Sequence, residues 1–205
     1  MGHKLITDQT RIAYYMHIHR HGKGMNEPRW RGVRVVKFPT DLILYAEQIF
    51  ANKPDWIIET GTRFGGSSTF FGDMLQLSGG KGVISIDIES ENPPPHPMVQ
   101  YLVGSSADRE LVAGVAAQVA GDRVMVVLDS DHRARHVRRE LRLLAPLVTE
   151  GQFCVVEDCY TRHVEPYYPA QAVAWFLERT KDFRLEPVED KFLFAVTRGG
   201  WLRRV

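Results

Sequence analysis

From Asp55 onward the chain alternates short apolar runs with helix-like segments, and no other feature narrows its fold as much. Trp56-Ile57-Ile58, Val83–Ile88, Tyr101–Val103, Val124–Leu128 and Phe153–Val156 read as strands; Val124–Leu128 is apolar at every position. Between them Ser67–Leu77, Asp108–Ala120, His132–Val148 and Ala170–Thr180 read as helices. Val137, Leu141, Leu144 and Leu147, for example, fall on one helical face. Gly79-Gly80 ends one helix, and Asn92–Pro97 can only be a loop. Phe183–Pro187 with Phe192–Thr197 reads as a closing antiparallel pair. Strands and helices at this interval predict an α/β fold: a doubly wound, mostly parallel sheet covered on both faces.

A chain of 205 residues has room for one sizeable core. Residues 55–205 form that domain, and residues 1–54 form an N-terminal extension. Within it, Asp41–Phe50 has helical phase, whereas Tyr14–Asn26 is rich in His, Arg and aromatics without a clear period. The extension is expected to cover the site or meet another subunit. A net charge of +1 with 25% charged residues excludes a disordered chain and argues against a nucleic-acid partner. Arg133, Arg135, Arg138, Arg139 and Arg142 read as the solvated face of a helix. Cys154 and Cys159 read as reduced thiols, which suits the cytoplasm. Met1–Thr10 is polar, and no apolar window is long enough to cross a bilayer.

Open parallel sheets bind ligands beyond the carboxyl ends of their strands. Those ends carry Glu59 and Gly61, Asp87, Asp129, and Glu157 with Asp158. The first turn reads Glu59-Thr60-Gly61-Thr62-Arg63-Phe64-Gly65-Gly66-Ser67-Ser68. It lacks the Lys of a phosphate-cradling loop, and its glycine spacing does not fit the dinucleotide fingerprint. An acid two residues before the first Gly, with this wider spacing, fits S-adenosylmethionine (SAM). Gly61, Gly65, Ser67 and Ser68 would let backbone and helix amides meet the cofactor's carboxylate. Asp87 can accept hydrogen bonds from both ribose hydroxyls, although it could also simply cap a loop. Ser105 and Ser106 follow the third strand where an adenine edge would lie, with helix capping as the plainer duty of at least one of them.

Asp129, Glu157 and Asp158 form a second constellation. Three carboxylates at neighbouring strand ends repel one another unless a cation joins them, and oxygen-only ligation suits Mg²⁺. Asp131 could replace Asp129, and two helix caps beside an exposed acidic pair is the plainer alternative. His132, one residue past the first acids, has the ordinary pKa for proton transfer near neutrality. His17, His19 and His21 lack the companion ligands of a zinc site and read as covering or structural residues.

Taken together, Glu59-Thr60-Gly61, Gly65-Gly66-Ser67-Ser68, Ile86-Asp87, Gly104-Ser105-Ser106, Leu128-Asp129-Ser130-Asp131-His132 and Val156-Glu157-Asp158 resemble the cephalosporin hydroxylase family. With Trp30-Arg31-Gly32 and Pro39-Thr40-Asp41-Leu42 the likeness covers nearly all of residues 28–205. The family is similar to metal-dependent O-methyltransferases acting on macrolide sugars and rhamnosyl groups. The resemblance implies a Rossmann-like SAM-methyltransferase fold with a seven-stranded sheet, a C-terminal antiparallel strand and an N-terminal helical extension. It also implies Asp129, Glu157 and Asp158 as Mg²⁺ ligands, Asp129 beside SAM, and His132 as general base. Homo-oligomers and a hydroxylated small-molecule acceptor, a sugar or natural product, follow in the same way. His17–Asn26 matches no substrate lid, so it does not identify the acceptor. Two other functions are set against this one. A hydroxylase component would need an iron triad of two His and one carboxylate, or a flavin signature, and neither is evident. A non-catalytic SAM binder would not need the acids and His132.

Overall fold

The central strands bury adjacent residues on opposite sides, so helices must cover both faces. The computed structural model describes residues 8–21, 28–89, 91–160, 169–192 and 194–205. The chain opens with helix α1 (Asp8–His21), the short hairpin of β1 (Arg29–Trp30) and β2 (Val33–Arg34), and helix α2 (Pro39–Asn52). Then come β3 (Trp56–Thr60), α3 (Gly66–Ser78), β4 (Gly82–Asp87), β5 (Val99–Val103), α4 (Arg109–Gln118) and β6 (Val124–Leu128). Helix α5 (Ala134–Leu144), β7 (Phe153–Val156), α6 (Pro169–Leu177), β8 (Phe183–Leu185) and β9 (Trp201–Arg204) complete the described elements. Among the described residues the main sheet has seven strands in the order β5-β4-β3-β6-β7-β9-β8. Strands β3 to β7 run parallel, and β9 lies antiparallel between β7 and β8.

Residue parity sorts the core. Ile58, Ile84, Ile86, Val126 and Leu128 face α4 and α5 through Val112, Val115, Val137 and Leu141. Their neighbours Ile57, Val83, Met125 and Val127 face α2 and α3 through Leu44, Ile49, Phe71 and Leu75. This is the doubly wound arrangement that the alternating runs require. No helix of the described residues is long and apolar enough to cross a membrane. Both cysteines are buried, and neither is in a disulfide.

The C-terminal strand is the one element the sequence reading misplaced. The partner of Phe183–Leu185 is Trp201–Arg204, not Phe192–Thr197. The physical reason lies in α2: the buried Asp41 carboxylate accepts the backbone N–H groups of Val196 (3.0 Å) and Thr197 (3.1 Å). Donors taken by a side chain cannot join a ladder. Phe194 meanwhile packs against Tyr15 and Phe38, and fully buried Trp201 fills the sheet position.

The aperiodic N-terminal stretch also takes a definite form. Residues 8–21 are helical, and Tyr15 is 3% exposed between Phe38 and Phe194. His17 is exposed, while the side chains of His19 and His21, like all of residues 22–27, lie outside the described residues.

Candidate active site

A cavity of about 820 Å³ opens at the carboxyl ends of β3, β4, β5, β6 and β7. Gly61, Ser67, Asp87, Ser105, Ser106, Asp129, His132 and Asp158 line it. Gly61 sits at φ +90°, and a Cβ there would lie 2.1 Å from the Asp129 carbonyl oxygen, so the turn can pass β6 only as glycine. Gly65, in the left-handed region at φ +77°, caps α3, whose first residues Gly66 and Ser67 line the cavity.

Asp87 ends β4, and its Oδ2 accepts the Arg63 backbone N–H at 2.8 Å. That bond fixes the carboxylate at the cavity wall. Beyond β5, Ser105 Oγ accepts the Ala107 N–H at 3.2 Å, and Ser106 Oγ lies 3.2 Å from His136 Nε2. The α4 cap itself is Asp108, which bonds the N–H groups of Glu110 and Leu111.

Glu59 and Ser68 stand behind this wall, not on it. Glu59 is fully buried and accepts hydrogen bonds from Ser68 and, at 2.8 Å, from Ser85. Thr62 Oγ1 lies 2.7 Å from the same Ser85, so the network ties the first turn to β4. Burial raises the Glu59 pKa, against the pull of Lys37 and the serines.

The acidic residues divide into two groups. His132 Nε2 lies 3.3 Å from Asp129 Oδ1 and 3.2 Å from Asp158 Oδ2. Donor atoms of Asp129, His132 and Asp158 all fall within 4.8 Å of one another, close enough to share one cation. Asp158 reaches this point from a left-handed turn at φ +56°, which Asp tolerates better than most residues. Glu157 is not brought into the group. Its Oε1 accepts Lys37 Nζ at 2.8 Å and Tyr45 Oη at 2.5 Å, and all three residues are buried. Asp131 lines the cavity but is not in the group either: its carboxylate accepts the Arg133 backbone N–H at 3.0 Å.

Lys37 was missed in the sequence reading. Its Nζ also donates to Asp129 Oδ2 at 2.8 Å, and only 2% of its side chain is exposed. The signal was available: one Lys interrupts the apolar run Val35-Val36-Lys37-Phe38, and a charge in such a run must find a buried partner.

These contacts set the protonation states. Burial disfavours the Lys37 ammonium, but Asp129, Glu157 and Glu59 outweigh it and raise its pKa. Burial likewise opposes charge on His132, yet Asp158 and Asp129 raise its pKa to about 9. Asp129 is held below the usual carboxylate range because Lys37 and His132 overcome its burial. Burial pushes Asp158 and Glu157 upward. With no added ion, the cluster is thus neutralised in part by two protein cations.

Residues 23–205 match the family model described as rhamnosyl O-methyltransferase/CmcI. A rhamnosyl O-methyltransferase of Mycobacterium leprae (strain TN) is 33% identical over 193 residues, spanning 87% of this chain and 84% of its own. A rhamnosyl O-methyltransferase of Mycobacterium tuberculosis is 31% identical over 137 residues, 63% of this chain and 56% of its own. Among solved structures, CmcI with Mg and SAM superposes with a TM-score of 0.65 at 21% identity, covering 88% of this chain and 77% of its own. At that identity the superposition shows the shared fold.

Proposed function

The chain belongs to the rhamnosyl O-methyltransferase/CmcI family and is a SAM-dependent O-methyltransferase; within that class we propose magnesium-assisted transfer to a hydroxyl of a sugar or natural product. The observation that carries the magnesium reading is the convergence of Asp129, His132 and Asp158 beside the cavity. Two carboxylates are the oxygen donors Mg²⁺ favours, and they leave His132 for proton transfer. A CmcI structure similar in fold contains Mg and SAM, which supports the same assignment here.

The cavity walls suit the cofactor. Asp87 would hold the ribose, Ser105 and Ser106 would flank the adenine, and the turn around Gly61 with the α3 amides would take the methionine carboxylate. SAM supplies an already activated methyl group, so the protein contributes mainly orientation. A divalent ion held by Asp129 and Asp158 would supply positive charge that acidifies the acceptor hydroxyl. His132 Nε2 is the proton acceptor. In the protein alone its two carboxylate neighbours keep it charged at neutral pH. Offsetting their charge is what frees the imidazole to act. Tyr15 and Arg34 close the cavity from the N-terminal side, where an acceptor would enter.

The acceptor class follows the M. leprae relative, whose name specifies a rhamnosyl group. A near-neutral chain of +1 favours a small hydroxylated molecule over nucleic acid or a membrane surface, and the family likeness favours a cytoplasmic homo-oligomer. The test is methyl transfer from labelled SAM to a panel of rhamnosides and hydroxylated natural products, with EDTA and with Mg²⁺. Mg²⁺-restored transfer to a sugar hydroxyl is expected. Undiminished transfer by metal-free enzyme would remove magnesium from the reading.

A further inference from the structure

We propose that Asp73 is a positioning residue for the cofactor: one carboxylate that holds two separate segments of the chain over the SAM cavity. This rests on the placement of SAM in that cavity. Asp73 lies on α3 and is not among the residues lining the cavity, so it acts through what it holds. Three donors converge on it. From the hairpin, Trp30 Nε1 donates to Oδ2 at 2.7 Å and Arg31 Nη1 to Oδ1 at 2.9 Å. From the connection between β4 and β5, His96 Nε2 lies 3.1 Å from Oδ1. His96 Nδ1 accepts the Met98 N–H at 3.1 Å, so a neutral ring carries its proton on Nε2, toward Asp73. Burial opposes the charge on Asp73, but the bonds from Trp30, His96 and Arg31 outweigh it and hold the carboxyl below the usual carboxylate range.

The hairpin needs such an anchor. Strands β1 and β2 have two residues each and form a sheet of their own, apart from the seven-stranded one. A strand pair that stands alone is marginal in water. This one lies tightly against α3: a Cβ at Gly66 would sit 2.0 Å from the Arg34 carbonyl oxygen, and the Trp30 ring meets Phe70 edge-on at 5.1 Å. Beyond these contacts Arg34 and Val36 form the cavity wall next to the first turn of α3, where the methionine end of SAM is placed. The second segment brings Glu89 and Glu91 to the same cavity. It keeps another tie, since Tyr101 Oη donates to the Pro94 carbonyl at 3.2 Å, so the hairpin depends more on Asp73 than this segment does. A site that exists only while its wall is in place binds in proportion to the time the wall spends there. Releasing the hairpin therefore weakens SAM without removing any group that touches it.

The experiment compares wild type with Asp73→Ala, Trp30→Phe, the double variant of these two, and Asp122→Ala. Asp122 is the control: it accepts Trp56 Nε1 at 2.9 Å and a Lys81 ammonium at the amino end of the sheet, away from the cavity. SAM affinity is measured by calorimetry, the Trp30 indole N–H resonance by NMR, and melting temperature without SAM. Asp73→Ala should shift the Trp30 resonance and raise the SAM dissociation constant about tenfold or more. Trp30→Phe, which keeps the ring on Phe70 and loses only the donor, should raise it about threefold or more. The double variant should bind SAM no more weakly than Asp73→Ala, because the lost contact is the same one. Asp122→Ala should melt lower than wild type yet bind SAM as wild type does. A dissociation constant for Asp73→Ala within about twofold of wild type overturns the proposal, and so does an equal loss of affinity in Asp122→Ala, which would make the effect one of general stability. Should Asp73→Ala not fold, Trp30→Phe decides, and unchanged SAM affinity there overturns the proposal. If wild type itself binds no SAM, the cofactor reading fails and takes this role of Asp73 with it.

Discussion

His132 is where the chemistry and the electrostatics of this protein meet. In the proposed role of proton acceptor it must be neutral when the acceptor hydroxyl arrives, yet Asp129 and Asp158 hold a proton on it in the ion-free protein. Its pKa is about 9 there against 6.5 for an ordinary histidine, so its pairing contributes stability in full below about pH 6.5. That contribution is lost as the pH rises through about 9. Thermal melts of EDTA-treated protein should therefore fall between those limits, and His132→Asn should flatten that part of the profile. An identical slope in the variant would show that the imidazole is not paired. The catalytic role has a separate measure. At saturating Mg²⁺ and SAM, His132→Ala should turn over roughly 10²–10⁴-fold more slowly with SAM affinity nearly unchanged. A drop of less than about tenfold, below that range, would leave His132 a structural residue.

Among the elements, the parallel strands were legible because burial on both faces leaves a run of apolar residues that nothing else explains. The strand-end acids were legible for a related reason: an acid that closes an apolar run marks where the strand leaves the core. Two features were not legible. The C-terminal strand was misplaced because Phe192–Thr197 has good strand composition, and no local pattern reveals that Asp41, over 150 residues away in sequence, claims the Val196 and Thr197 amides. The division of the acids was hidden because it depends on Lys37, which reaches Glu157 only across the fold. Asp41 is open to direct test. Its replacement by Ala orphans two buried N–H groups and the Thr197 hydroxyl, each costing about 1–3 kcal/mol if left unpaired. Denaturant unfolding should show Asp41→Ala destabilised by about 2–5 kcal/mol, allowing for partial repair by water. A loss under about 1 kcal/mol would mean that the segment around Phe194 is held by its aromatic contacts instead.

At the scale of the whole molecule, the cavity is a junction. Its walls come from the ends of five parallel strands, from Tyr15 on α1 and from Arg34 on β2, so the two halves of the sheet and the N-terminal segment all meet there. A ligand bound at such a junction stabilises the entire fold, because unfolding any of these parts destroys its site. SAM at a concentration a hundred times its dissociation constant should add about 2.7 kcal/mol. For a chain of this length that corresponds to a rise of roughly 5–11 °C in melting temperature. Asp87 makes the prediction specific. Its carboxylate, fixed by the Arg63 N–H, ends β4 at the cavity wall, where the ribose is proposed to lie. Losing its hydrogen bonds to the ribose should weaken SAM by about 1.5–3 kcal/mol for each bond. At the same SAM concentration Asp87→Ala should therefore show less than half of the wild-type shift, while melting near wild type without SAM. Equal shifts in the two proteins would move the ribose away from Asp87, and no shift in wild type would place SAM outside this cavity.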